Sequence, residues 1–155
     1  MSADDLLCLV YISRSAGPVS DDALLALLVQ ARSNNARDGI TGMLLYKGGY
    51  FMQALEGPNA LVQALYRRIC LDPRHRDVTT LIKFQPDGRA FDGWTMGFAN
   101  IDRIPPEQRA GISPFLDQDF EPASWAEAPH QAMRLLRAFR DVNGDSTQDT
   151  RPVEA

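Results

Sequence analysis

Gln53 stands in the apolar run Phe51-Met52-Gln53-Ala54-Leu55, where strand alternation puts it on one face with Phe51 and Leu55. A buried amide left without partners costs about 1–3 kcal/mol. It must therefore be bonded, either to backbone or water or to the polar edge of a ligand that matches its carbonyl and NH2 ends. Tyr11 lies in a second apolar run and shares a face with Leu7 and Leu9. Taken alone it reads as a core tyrosine that offers its hydroxyl to one partner. If the two runs are neighbouring strands, however, Tyr11 and Gln53 form a polar pair in an apolar groove. Asn34-Asn35 adds two amides, suited either to capping a helix C-terminus or to pairing with the carbonyl and N–H edge of a uracil-like ring. Arg67, Arg68, Arg74 and Arg76 could hold a phosphate, or form a solvated basic surface.

These side chains need elements to hold them. Residues 6–13 read as a buried strand that ends at Gly17-Pro18. Ser20 caps the next segment, Asp21 and Asp22 suit the positive end of its dipole, and Leu24, Leu27, Leu28 and Ala31 follow at helical spacing, with the end near Asn34-Asn35. Residues 40–46 and 50–56 flank Lys47-Gly48-Gly49, a hairpin signal. Asn59 is placed to cap a second helix of about three turns, with Leu61, Leu65 and Ile69 on one side and Asp72-Pro73 as its stop. Residues 79–84 and 91–99 are two more strands around Pro86-Asp87-Gly88. The order β-α-β-β-α-β-β predicts an α+β fold of ferredoxin-like type, with both helices on one sheet face and a groove between them that admits a flat ligand.

Beyond Ile101, Pro105, Pro106, Pro114, Pro122 and Pro129 punctuate the chain, and residues 130–142 carry an amphipathic helix through Met133, Leu136 and Phe139. That stripe has to be buried, either against another protomer or on the open sheet face lined by Leu6, Cys8, Val10 and Ile12, which is the favoured place. The expected organisation is a sheet domain over 1–101, a helical extension over 102–142 and a disordered tail over 143–155.

The 155 residues suit one domain with an extension, and 45% hydrophobic and 23% charged residues are ordinary globular values. A formal charge of -4 gives no broad basic surface for nucleic acid. No apolar stretch approaches the ~20 residues of a membrane span and the acidic start is unlike a signal peptide, so a cytoplasmic protein without membrane partners is expected. Cys8 and Cys70 form no CxxC, and His75 and His130 have no ligand spacing around them, so no metal is expected.

The segments Asn34-Asn35-Ala36-Arg37-Asp38-Gly39-Ile40-Thr41-Gly42-Met43-Leu44, Phe51-Met52-Gln53-Ala54-Leu55-Glu56-Gly57 and Trp94-Thr95-Met96-Gly97-Phe98, in that order after Tyr11, resemble the BLUF family of blue-light sensors that use FAD. The resemblance runs from about Leu6 to Ile101 and its motifs are specific jointly rather than singly. It implies a photoreceptor that holds FAD without a covalent bond, with FMN or riboflavin as alternatives. It implies that Tyr11 donates an electron and a proton to the excited flavin and that Gln53 relays the change by exchanging hydrogen bonds. Asn34 and Asn35 would hold the ring edge; Arg68, Asp72 and His75 would approach the ribityl and phosphate portion; Trp94 and Met96 would lie on the signalling strand. Many members carry a serine where this chain has Ala31.

Two rivals remain open at the level of sequence. A flavin- or nucleotide-binding regulatory module without photochemistry would fit the groove but gives no reason for an oxidisable Tyr11 beside Gln53. An enzyme of acylphosphatase type would share the architecture, yet residues 13–18 lack a glycine-rich phosphate cradle and a base. The resemblance implies no catalysis of its own, and output either to a separate signalling protein or through homo-oligomers.

Overall fold

A computed structural model describes residues 5–17, 19–105, 107–108, 120–143 and 152–153. The chain runs β1 (Leu6–Ser15), α1 (Asp21–Asp38), β2 (Thr41–Lys47), β3 (Tyr50–Pro58), α2 (Asn59–Leu71), β4 (His75–Phe84) and β5 (Gly97–Asn100). A 3-10 turn at Ile101–Arg103, α3 (Pro122–Ala126), α4 (Pro129–Asn143) and a short β6 (Pro152–Val153) follow. The sheet order is β4-β1-β3-β2-β5-β6. β3 lies antiparallel between β1 and β2, and β4 closes one edge antiparallel to β1. β5 is parallel to β2. This is the ferredoxin-like α+β arrangement read from the element order, with one strand pair added at the far edge.

Strand alternation divides the apolar residues between two cores. Leu7, Leu9 and Tyr11 pack with Leu24, Leu28 and Val62 under α1 and α2. Cys8, Val10 and Ile12 pack with Met133, Leu136 and Phe139 of α4 and Trp125 of α3 on the opposite face. The amphipathic stripe beyond residue 129 is thus buried on the sheet, as its composition requires. Trp125 meets Phe120 edge to face at 5.6 Å.

Ser20 caps α1 through Oγ, which accepts the Ala23 N–H at 3.1 Å. Several boundaries differ from the sequence reading. α1 does not end at Asn34-Asn35 but continues to Asp38, because Gly39 at φ 71° supplies the left-handed cap, which asparagine adopts at greater cost. Asn59 is not the N-cap of α2; Pro58 occupies that position and makes no side-chain cap bond. Leu61 is 40% exposed, and Val62 is the buried residue of that turn, with Leu65, Tyr66 and Ile69 partly buried behind it. β4 starts at His75 rather than residue 79, with irregular register where Asp77 adopts φ 52°. Residues 91–96 are not strand: the segment from Gln85 to Met96 runs irregularly from β4 to β5, and β5 is four residues long. Pro152–Val153 pair with Phe98 and Ala99 in the stretch read as a tail, whose residues 144–151 and 154–155 lie outside the described residues, as does Pro114.

Candidate functional site: an amide-lined pocket under two helices

β3 is the central strand of the site. Gln53 is paired in register with Tyr11 of β1 on one side and Leu44 of β2 on the other, so the three side chains stand in a row on the helix-covered face. Tyr11 is fully buried, and its hydroxyl donates to Gln53 Oε1 in a short hydrogen bond. The Gln53 Nε2 donates to Met96 Sδ at 3.3 Å. Both ends of the amide are therefore engaged, with one N–H hydrogen left over.

Burial raises the Tyr11 phenol well above its ordinary pKa of 10.0, and Tyr66, Cys70 and Asp72 push in the same direction. Tyr11 is thus neutral at physiological pH. If it loses an electron its hydroxyl becomes strongly acidic, and Gln53 Oε1 is the acceptor already hydrogen-bonded to it. Tyr66 stacks obliquely against Tyr11 at 5.5 Å, and His75 stands edge-on at 6.2 Å.

A cavity of about 320 Å³ opens above this row between α1 and α2. That volume is within the roughly 300–1,000 Å³ of small-molecule sites. Its apolar lining includes Leu27, Leu44, Phe51, Leu65 and Ile69, and its polar lining includes Tyr11, Gln53, Asn34, Asn35, Arg68, Asp72, Arg74 and His75. Apolar walls accept the faces of an aromatic ring, the amides match its polar edge, and the cationic groups suit a phosphate. The residues present therefore fit a flavin nucleotide.

Asn35 is 2% exposed although its amide is polar. Its Nδ2 donates to the Thr95 carbonyl at 2.8 Å, which leaves Oδ1 and the second N–H hydrogen for a ligand. Because α1 continues past it, Asn35 is not a cap. Asn34 is half-buried on the same wall. Ala31, one turn earlier, also lines the cavity, but its methyl group contributes no hydrogen bond there.

Asp72 and Arg74 make a bidentate pair, with Arg74 NH2 2.6 Å from Asp72 Oδ2. The Arg74 hydrogen bonds hold the Asp72 carboxyl below its ordinary range against the opposing effect of burial. His75 lies within hydrogen-bond distance of Ser13 Oγ, 2.9 Å from Nδ1, and its ring is 5.1 Å from that of Phe51. Burial lowers the imidazole pKa below 6.5; nearby Asp72 opposes this and Arg74 adds to it.

Of the residues picked from sequence, Tyr11, Gln53, Asn34, Asn35, Arg68, Asp72 and His75 all line the one cavity. Met96 reaches its floor through Gln53. Trp94 does not: it is fully buried in the opposite core, wedged so closely that a Cβ on Gly97 would overlap its ring and Met43 Sδ. Its Nε1–H has no hydrogen-bond partner among the described residues. Sequence reading missed Ser13, whose signal was available two residues after Tyr11 on the same strand face. It also missed Arg32, whose Nε donates to the Met96 carbonyl at 2.9 Å across 64 residues of sequence, and no local pattern announces that.

Comparison with known proteins bears on this geometry. Residues 6–97 match the profile of the BLUF family, described as sensors of blue light using FAD. The photoactivated adenylate cyclase subunit beta of Euglena gracilis is 41% identical over 100 residues, covering 64% of this chain. The match takes in 12% of that protein, so this chain spans only a small part of its curated relatives. Among solved structures, the dark state of BlrB, a BLUF protein, superposes with a TM-score of 0.69 at 29% identity, over 85% of this chain and 97% of that one. The photo-activated state of BlsA does so with a TM-score of 0.68 at 25% identity, over 85% of this chain and 94% of that one. The family match spans more than half of the sequence and covers the strands and helices that build the amide-lined pocket: this chain belongs to the BLUF family of flavin-binding blue-light sensors that use FAD.

Proposed function

We propose that this chain reports blue light through Tyr11, Gln53 and Met96 and passes the signal to a separate protein, without a catalytic reaction of its own. The observation that carries the reading is the unbroken line of hydrogen bonds from the Tyr11 hydroxyl through both ends of the Gln53 amide to Met96 Sδ. Bound flavin supplies the light absorption and, once excited, a strong oxidant. Tyr11 would give an electron to that oxidant and release its hydroxyl proton through the bond to Gln53, and both would return to Tyr11 on recombination, so that only the hydrogen bonds of Gln53 are changed. If the amide then turns, Nε2 no longer meets Met96 Sδ, and the contact is lost because neither Gln53 Oε1 nor a thioether sulfur has a hydrogen to donate. Asn34 and Asn35 hold the ring edge throughout, while Arg68, Asp72 and His75 stand toward the ribityl and phosphate portion.

The sensor occupies residues 1–101 and residues 102–142 form the output extension. Release of Met96 favours a different packing of the segment before β5, and α4 on the far face of the sheet responds to it. α4 buries its apolar stripe on the sheet and leaves Arg134 and Arg137 exposed, and that outer face is available to a separate protein. No described helix is long and apolar enough to cross a membrane, and a cytoplasmic setting is consistent with that.

Hydrogen exchange of the flavin-loaded chain, compared in darkness and under blue light, tests the reading. Protection should change across residues 94–99 and 130–140 and revert in the dark. Identical protection in both states, in protein whose absorption does respond to light, would refute output through α4.

A further inference from the structure

Gln85 to Met96 lies between the photoactive row and α4, and it is tied down at both ends. On the pocket side, the Thr95 carbonyl accepts from Asn35, the Met96 carbonyl from Arg32, and Met96 Sδ from Gln53. The Trp94 carbonyl accepts the Gly42 N–H at 2.9 Å. At the other end stands Glu56, three residues after Gln53 and therefore on the opposite sheet face. Glu56 is fully buried. Its Oε2 accepts the Ala90 N–H at 2.9 Å, and its Oε1 accepts the Phe91 N–H at 2.6 Å and the Thr41 hydroxyl at 2.9 Å. Arg89 braces the same corner through the Gly39 carbonyl at 2.7 Å and Thr41 Oγ1 at 2.9 Å. The Ala90 carbonyl, in turn, accepts from Arg140 NH1 of α4 at 2.6 Å.

Ala90 is thus gripped by its N–H from β3 and by its carbonyl from the output helix. We infer that Glu56 and Arg140 are the positioning residues that couple the pocket to α4, by holding Ala90 so that a displacement beginning at Met96 is delivered to the helix. The inference rests on the reading above. Three features make the segment able to occupy two arrangements. It lacks strand pairing, one of the bonds at its pocket end comes from an amide that the photoreaction disturbs, and the buried Trp94 Nε1–H has no partner among the described residues. Without the Arg140 bond, α4 still packs through Leu135, Leu136 and Phe139 but loses the polar tie that follows the segment.

The test uses the flavin-loaded full chain and two readouts: the light-induced absorption shift, which reports on the Gln53 row, and the light-to-dark exchange ratio over residues 130–141, which reports on α4. In the wild type that ratio should change by roughly fivefold or more, the lower range of measured couplings between sites. Arg140→Met should keep the absorption shift and bring the ratio close to one, and Arg140→Lys, which retains one donor, should recover part of it. Glu56→Gln tests the other grip, because its NH2 group faces the Ala90 N–H donor and cannot accept from it; it too should keep the shift and lose the α4 response. A wild-type ratio in both Arg140→Met and Glu56→Gln would overturn the inference. Loss of the absorption shift in Arg140→Met would overturn it as well, since Arg140 would then serve the pocket itself. A wild-type chain that shifts its absorption with no change at α4 is a separate result, and it removes the underlying reading too.

Discussion

Tyr11 and Gln53 gain their meaning from each other: a buried phenol that keeps its proton, bonded to an amide whose other end holds a thioether. Tyr11→Phe should keep the flavin, because the ring still packs, yet abolish the reversible light-induced red shift. It should also lower the unfolding free energy by about 1–3 kcal/mol, since Gln53 Oε1 is left unpaired in the core. Spectra and urea titration of the variant check both, and a normal red shift would contradict the assigned role. His75 gives a pH signature. Its folded pKa is lowered below 6.5, so between those two values the unfolded chain binds more protons than the folded one. Stability contributed by neutral His75 is fully present above 6.5 and is lost as pH falls through that window. Urea midpoints measured from pH 8 to pH 5 should drop less steeply in His75→Gln than in the wild type, and equal slopes would contradict this. The pairing of Tyr11 with Gln53 was legible because alternation puts each on a definite strand face. The depth of Trp94 was not, because a tryptophan two residues before a methionine looks like part of the same alternating strand until the chain turns irregular there.

At the scale of elements, sequence located every helix and strand through β5 and misplaced several of their ends, and the misplacements have a common cause. Boundaries follow the backbone that the caps demand: Gly39 outcompetes Asn34-Asn35 for the left-handed position, and Pro58 takes the entry to α2. β5 was read too long because the apolar residues between Phe91 and Met96 serve two different cores, Trp94 one and Met96 the other, instead of one face of a strand. Gly97 starts β5 where no side chain fits between Trp94 and Met43. Gly97→Ala should therefore destabilise the protein by about 1–3 kcal/mol, the usual cost of overpacking, and shift the Trp94 fluorescence as the ring is displaced. Unchanged urea stability with unchanged emission would mean that the segment before β5 is far more yielding than its packing indicates.

For the molecule as a whole, the element order predicts the sheet, and the need to bury Met133, Leu136 and Phe139 predicts which face α4 covers. Neither predicts the two-residue β6, which has too few side chains to leave a pattern, nor the Glu56 and Arg140 grips, whose partners are 34 and 50 residues away in sequence. The sheet separates the pocket from α4, so a change confined to one amide has to travel around its edge through Gln85 to Met96 or through the central strand. The claim on which the rest depends is that the pocket holds a flavin whose surroundings respond to light. An absorption spectrum of the purified flavin-loaded chain, taken before blue light, immediately after it and again after dark recovery, tests this most directly. The account predicts a small shift of the flavin band to the red that reverses in darkness and is absent in Tyr11→Phe; a flavin-loaded wild-type chain whose spectrum is the same in all three would contradict it.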